Sequence, residues 1–364
     1  MSMKIDPLFP NSLKSYGKSE WNECFHCGNC TAICPLSEDG FLFPRKGIRT
    51  IQMGLKNKLK GYIEPWLCYY CGECSDTCPR NANPGELMMT LRRYLTKIYD
   101  WTGLSGILYT SLPALIISLI IVALAIIGVG YYQGFNLETF MEFGHGFEKL
   151  AILFVFSLIL VPNIFRMFWF SIVKEKVKAP LISYVKGVGE LVVHMFSQKN
   201  TLKCEENIFR WFEHFFVVIG YILLLITTVF LNWFNTGNTI VIWLGYTVGA
   251  ITFIFTFDFI IDRIRKKKEV SKFSHPTDWV FVIWLFLMGL TAFNVRLFID
   301  FNIIQNHYWL YMFHLIILAQ WALLIVPFGK WTHFLYRSFA IYFAGLKKAA
   351  EAKQANKQHI IKAA

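Results

Sequence analysis

Eight of the nine cysteines fall in two runs of one spacing. Residues 24–35 read C-F-H-C-G-N-C-T-A-I-C-P and residues 68–79 read C-Y-Y-C-G-E-C-S-D-T-C-P, so C-x2-C-x2-C-x3-C-P is written twice. Four thiolates at this spacing, closed by a proline and duplicated, predict two 4Fe–4S clusters that carry electrons one at a time. Zinc sites more often use two ligand pairs across a longer gap. Disulfides are disfavoured, because residues 1–20 are polar, contain Pro7, Pro10 and Gly17, and hold no apolar leader segment.

The x2 spacings let three cysteines wrap one cluster, while the fourth is carried around to the other. Cys24, Cys27, Cys30 and Cys78 are therefore expected to hold one cluster, and Cys68, Cys71, Cys74 and Cys34 the second. Pro35 and Pro79 turn the chain away, and Gly28 and Gly72 leave room near the sulfurs. Cys204 stands alone and reads as a free thiol; His26 reads as a surface residue.

Helices must position these thiols. Residues 45–54 have helical periodicity. Residues 84–97 begin with proline and end with basic residues, as a helix does. The expected domain, residues 1–100, is helical with clusters buried between helices and loops.

Composition then changes. The chain of 364 residues is 55% hydrophobic and only 16% charged, which suits a large membrane domain. Six apolar stretches are long enough to span a bilayer: about 103–131, 149–173, 208–233, 239–262, 277–300 and 308–328. The net charge of +12 comes from basic blocks beside these stretches, a positive-inside pattern rather than a nucleic-acid-binding face. Lys174 to Lys203, Arg263 to Lys272, and Lys330 to Lys348 fall on one side; the loop 132–148, with Glu138, Glu142 and Glu148, falls on the other. Both termini and the cysteine domain are thus expected in the cytoplasm of a multi-pass inner-membrane protein. The fold class is all-α: residues 1–100 a helical cluster domain, 101–343 a six-helix membrane bundle, and 344–364 a tail that is either a short helix or disordered.

Ionisable residues inside spans are rare and usually functional. His214, near the start of the third span, and His333, just after the sixth, lie at similar depth on antiparallel helices and could grip one haem iron. His314 lies 19 residues before His333, about 28 Å along a helix, and implies a second haem near the outer face. Nineteen residues also leave the two about 100° apart in azimuth; Pro327 and Gly329 could kink the helix. His145 and His307 are candidates for the sixth ligand there, His145 the better. His194, His275 and His359 read as solvated. Arg210 and Lys330 could pair haem propionates, and Arg45, Lys46 and Arg49 could steer an acidic partner. Asn294, Arg296, Asp300 and His307 are one possible setting for a quinone.

Residues 24–78, with P44-R-K-G-I-R-T-I-Q-M-G54 and P84-G-E-L-M-M-T-L-R93, resemble the two-cluster ferredoxin component of heterodisulfide reductase, its C chain. Residues 149–343, with R210-x3-H214, H275-P-T-D-W279 and the segment from His314 to His333, resemble the cytochrome b of the nitrate reductase gamma and heterodisulfide reductase E chains. Their fusion is similar to the C-chain family of quinone-interacting membrane-bound oxidoreductase complexes. The resemblance implies one haem b held by His214 and His333 and a second involving His314. The nitrate reductase pattern has another histidine about ten residues after the first; here Y221-I-L-L-L225 has none. His145 could supply that ligand, or the haem could be five-coordinate. The segment from His314 to His333 is also one residue longer than in that pattern. The implied function is electron transfer between menaquinol or another quinone and cytoplasmic partners: heterodisulfide-reductase-A-like flavoproteins and, through them, adenylylsulfate reductase. The alternative is a haem and iron–sulfur anchor for a hydrogenase or heterodisulfide-reductase-type complex.

Overall fold

The computed structural model describes residues 4–38, 40–198, 208–267 and 269–363. Cys204, Lys199 and Lys203 lie outside them, as do the side chains of Arg210 and His359. Helix is the regular structure throughout, and no strand occurs among the described residues. The chain is all-α.

Among the described residues, six helices are long and apolar enough to cross a bilayer: Leu112–Tyr132, Leu137–Val173, Trp211–Phe230, Thr239–Arg265, Pro276–Asp300 and Ile304–Asn356. They make this a multi-pass membrane protein. Three boundaries differ from the expected ones, each for a local reason. The first span starts at Leu112, because Ser111 caps it, its hydroxyl accepting from the Ala114 amide at 3.3 Å, with Pro113 in the first turn. The second starts twelve residues early, at Leu137. Asn136 caps it through the Thr139 amide at 3.2 Å, so the acidic stretch expected as loop is helix. The sixth is interrupted after Phe328, where Gly329 is extended, and resumes as a helix over Thr332–Ala363, so the tail is helical.

Among the described residues, four segments of the membrane helices are wound as π turns: Val155–Leu160, Trp169–Val173, Ile226–Phe230 and Trp321–Ile325. Each shifts the hydrogen bonds from i−4 to i−5 and inserts an extra residue locally.

Chain contacts divide the molecule into two units. One comprises residues 1–106, 161–208 and 332–364. Its organising element is the helix Pro84–Tyr99. Glu86 and Arg93 pair on its buried side at 3.2 Å, Tyr70 donates to Glu86 at 2.7 Å, and Arg93 reaches the Tyr16 carbonyl at 3.2 Å. Arg92 donates to the carbonyls of Pro65 (2.7 Å) and Cys68, so this helix fixes the start of the second cysteine run. Its C-terminal carbonyls at Ile98 and Tyr99 accept from Arg166, both at 3.0 Å, which suits a cation at that end. Trp66, Tyr99 and Tyr336 form an aromatic cluster with centroids 5.1–6.5 Å apart. The helix Leu181–Ser197 packs on Thr332–Ala363, where the Tyr342 hydroxyl meets the Tyr184 carbonyl at 3.1 Å. His194, expected to be solvated, is instead buried; burial and then Arg337 push its pKa down to about 4.

The other unit comprises residues 107–160 and 209–331. Phe140, Trp233, Val248, Ala292, Val295, Leu315 and Ala319 form its core. Arg296 is buried here and donates to the carbonyl of Thr236 at 3.2 Å and to Asp300 at 2.7 Å, while Tyr246 donates to Asp300 at 2.6 Å. Lys330 pairs with the buried Asp278 at 3.1 Å.

Asp100 joins the cysteine-bearing segment to the first apolar stretch. Its carboxylate accepts from Thr102 (amide 3.0 Å, hydroxyl 2.7 Å) and from Ser105 (amide 2.8 Å, hydroxyl 2.7 Å). Truncating it strands buried donors at a cost of about 2–3 kcal/mol. Asp100→Ala is therefore expected to speed amide hydrogen exchange at Thr102 and Ser105 by about 30- to 100-fold, and Asp100→Asn by less.

Candidate functional site

The two cysteine runs repeat one backbone. The residue two places after the first cysteine, His26 or Tyr70, has positive φ, and Gly28 and Gly72 follow at +91° and +98°. That left-handed turn strongly favours glycine. It starts the short helices Asn29–Ala32 and Glu73–Asp76, which carry Cys30 and Cys74. Asn29 ties the runs together by donating to the Thr77 carbonyl at 2.7 Å. His26 is half-buried and bonded to Gln52.

Cys24, Cys27, Cys30 and Cys78 line one small pocket, with Phe25, Arg45 and Pro79 around it. Cys34 lies in the electrostatic field of Cys68 and Cys71, and Cys74 in that of Cys68, Cys71 and Cys34. The structure thus brings each fourth cysteine toward the opposite run. Cys30 and Cys68 are buried and Cys27 is exposed. Two amides point at sulfur, Tyr70 at Cys68 (3.3 Å) and Ala82 at Cys78 (3.4 Å), as thiolate ligands require. Among the described residues no three such donors converge on a single ion point; in a cluster each thiolate meets a different iron, so the donors surround a volume. Burial, reinforced by neighbouring sulfurs, pushes Cys30 up to about 11 and Cys34 up to about 12 from the usual value near 9, and it raises Cys68 and Cys74 as well. Such a set becomes anionic only with a compensating cation, and iron supplies one. The donors fit the clusters that their spacing predicts.

The second feature is an apolar cavity within the unit of residues 107–160 and 209–331. The space among its lining atoms reaches about 770 Å³ only when the open solvent at its mouth is included. Glu148, Ala151 and Val155 line it from the second span, Tyr221 and Thr228 from the third, Met288 and Ala292 from the fifth, and His314 and Trp321 from the sixth. Three of the π turns put residues on its wall: Val155 and Phe156, Thr228 and Val229, Trp321 and Ala322.

His314 is 2% exposed. Its Nδ1 lies 2.8 Å from the Thr291 hydroxyl, which itself lies 2.7 Å from the Leu287 carbonyl. The carbonyl can only accept, so the hydroxyl proton goes to it. The hydroxyl oxygen then accepts from Nδ1–H. That fixes the tautomer and leaves a bare lone pair on Nε2, which has no hydrogen-bond partner among the described residues. This is how a second residue orients a metal-ligating histidine.

The other predicted residues are placed as follows. His214 is half-buried on the third span, and His333 is half-buried at the start of Thr332–Ala363; the two belong to different units. His145 lies on the second span, partly exposed and not among the cavity-lining residues. His307 bonds its own turn at the Ile303 carbonyl (2.9 Å). Leu224 and Leu225 line the cavity where the nitrate reductase pattern has a histidine. Between His314 and His333 the helix is interrupted: it ends at Phe328, Gly329 is extended, and a new helix starts at Thr332, where Pro327 and Gly329 were expected to bend it.

Glu148 was missed by sequence reasoning, which put it in a loop. It lies on the buried stripe Leu137, Phe140, Gly144, Glu148 and Ala151 and is 6% exposed. The signal was Asn136 as a cap ahead of this 3.6-residue period.

Comparison with known proteins bears on the first feature. The 4Fe-4S dicluster domain family matches residues 20–82. A protein of Archaeoglobus profundus, described as similar to the C chain of heterodisulfide reductase, is 35% identical over 88 residues, 24% of this chain and 47% of that protein. The chain thus spans about half the length of the curated relative it matches. No solved structure matches the chain. The molecule joins an iron–sulfur dicluster domain to a membrane helical bundle.

The raised thiol pKa values give the cluster-free protein a pH window. Folded thiols hold their protons more tightly than unfolded ones, so this stability is full below pH 9 and is lost as pH rises through 11 to 12. Thermal unfolding of the cluster-free protein should show the dicluster domain weakening from pH 9 to 12. Loading with clusters, which replaces those protons by iron, should remove that dependence.

Proposed function

We propose that this chain is a membrane electron-transfer protein that connects a quinone in the bilayer to partners of its iron–sulfur domain. The single observation that carries this is the bare Nε2 of His314 inside an apolar cavity, in a chain that also holds the thiols for two clusters. When bound, haem b at His314 and the two clusters supply one-electron carriers. Cys24, Cys27, Cys30 and Cys78 would hold one cluster, and Cys34, Cys68, Cys71 and Cys74 the other. Thr291 holds the imidazole in the ligating tautomer, and the apolar walls exclude water. His214 and His333 are proposed, on the resemblance alone, as the ligands of a second haem.

The cavity wall offers no second histidine among its lining residues, which favours a five-coordinate site at His314 over ligation by His145. The fusion resembles proteins that serve heterodisulfide-reductase-A-like flavoproteins and adenylylsulfate reductase, and these are the proposed soluble partners. A second reading, the anchor of a heterodisulfide-reductase-type complex, draws support from the name of the Archaeoglobus profundus relative.

Haem and iron quantification on variants tests the proposal. His314→Ala should remove one of two b haems and leave cluster iron unchanged. Thr291→Val, which keeps the volume but loses the acceptor, should weaken haem retention at that site by about 10- to 100-fold. Unchanged b-type absorbance in His314→Ala would contradict the assignment.

A further inference from the structure

The cavity has a second polar group that haem ligation leaves unused. The hydroxyls on its wall are engaged: Thr228 donates to the Leu224 carbonyl at 2.9 Å, and Tyr221 accepts from the Trp321 indole at 3.2 Å. Among the described residues, His314 Nε2 addresses the space without a hydrogen-bond partner, and the buried Glu148 carboxylate lines the same space. A carboxylate inside a span is expensive and is tolerated where it lines a cavity with work to do. Leucine at position 148 would continue the buried stripe and complete the apolar wall.

We propose that Glu148 is the proton acceptor for a quinol whose head group enters this cavity, an inference that rests on the quinone-linked reading above. Three observations support it. The walls are apolar enough for a substituted aromatic ring and its lipid tail. The carboxylate stands within the same cavity as His314, so proton and electron acceptors share one site. The groups around Glu148 leave the proton to it. Lys149, its neighbour on the same helix, is exposed. Tyr311 on the sixth span packs its hydroxyl on Gly144, one turn away, and donates to the Met141 carbonyl at 3.4 Å. Tyr221 is engaged, and His314 commits Nδ1–H to Thr291.

Each quinol O–H would break with its proton forming an O–H bond on Glu148 and its electron leaving to the one-electron carrier that His314 would hold. Glu148 releases the first proton before the second O–H breaks. Two rounds convert quinol to quinone and deliver two protons and two electrons. For flow in the opposite direction, Glu148 donates.

The test is Glu148→Gln in the full-length, cofactor-loaded protein. Menadiol serves as donor and a hydroxyquinoline N-oxide as a non-oxidisable mimic. The expected result is unchanged visible and cluster spectra, unchanged binding of the mimic, and reduction by menadiol slowed on the order of a hundredfold. The infrared redox-difference spectrum of the wild type should contain a protonated-carboxyl band that shifts in D2O and is missing from the variant. A variant with wild-type reduction rate and the same band would overturn the role of Glu148 while leaving the quinone-linked reading intact. Absence of b-type absorbance or of menadiol reduction in the wild type would instead remove that reading. Should the variant fail to accumulate, the wild-type infrared spectrum decides alone: without a redox-linked carboxyl band, the proposal fails.

Discussion

A polar atom buried in hydrocarbon without a partner costs about 1–3 kcal/mol, and the membrane unit holds one at His314. His314 Nε2 faces the cavity between the membrane helices without a partner, and the buried Glu148 carboxylate lines the same cavity. Thr291 could have rotated its hydroxyl proton toward the imidazole. The Leu287 carbonyl takes that proton instead, which turns a histidine of either tautomer into an acceptor aimed at empty space. The π turns serve the same end. An ideal α-helix presents its side chains on a fixed period; an inserted residue re-aims them, and three helices use that device along one cavity wall.

The iron–sulfur half obeys the same logic with the opposite sign. Eight thiols are drawn together in partly buried surroundings that disfavour their charged form. Only iron makes that arrangement favourable, so cluster binding and folding are coupled. Pro84–Tyr99 supplies the rigid reference: Arg92 holds the carbonyl at Cys68, while Glu86 takes the Tyr70 hydroxyl. Both contacts fall on the second run, whose fourth cysteine reaches back to the first. Fixing one run therefore fixes both.

The cysteine runs and the six spans were legible in the sequence because spacing and hydropathy are local properties. His314 was legible because a histidine within an apolar stretch is conspicuous. Glu148 was not. Together with Glu138 and Glu142 it lowered the hydropathy of residues 137–148, and the segment passed for a loop. The cap at Asn136 and the buried stripe through Phe140 and Gly144 were the better guides. The π turns had no residue signature, since they arise from packing between helices. The interruption expected at Pro327 and Gly329 was legible: the helix ends at Phe328 and resumes at Thr332. Arg296, Asp300 and Lys330 looked available for ligands in the sequence. Each is instead bonded within its own unit, because buried charges take nearby partners first.

The central claim is that electrons pass between a quinone in the membrane domain and the clusters of the cysteine domain. Anaerobic mixing of the purified, fully loaded protein with a menaquinol analogue, freeze-quenched for electron paramagnetic resonance, tests it most directly. The account predicts that b-type absorbance reduces first and that reduced 4Fe–4S signals follow. Clusters that stay oxidised by quinol and equally refuse to reduce quinone from their own reduced state would contradict it.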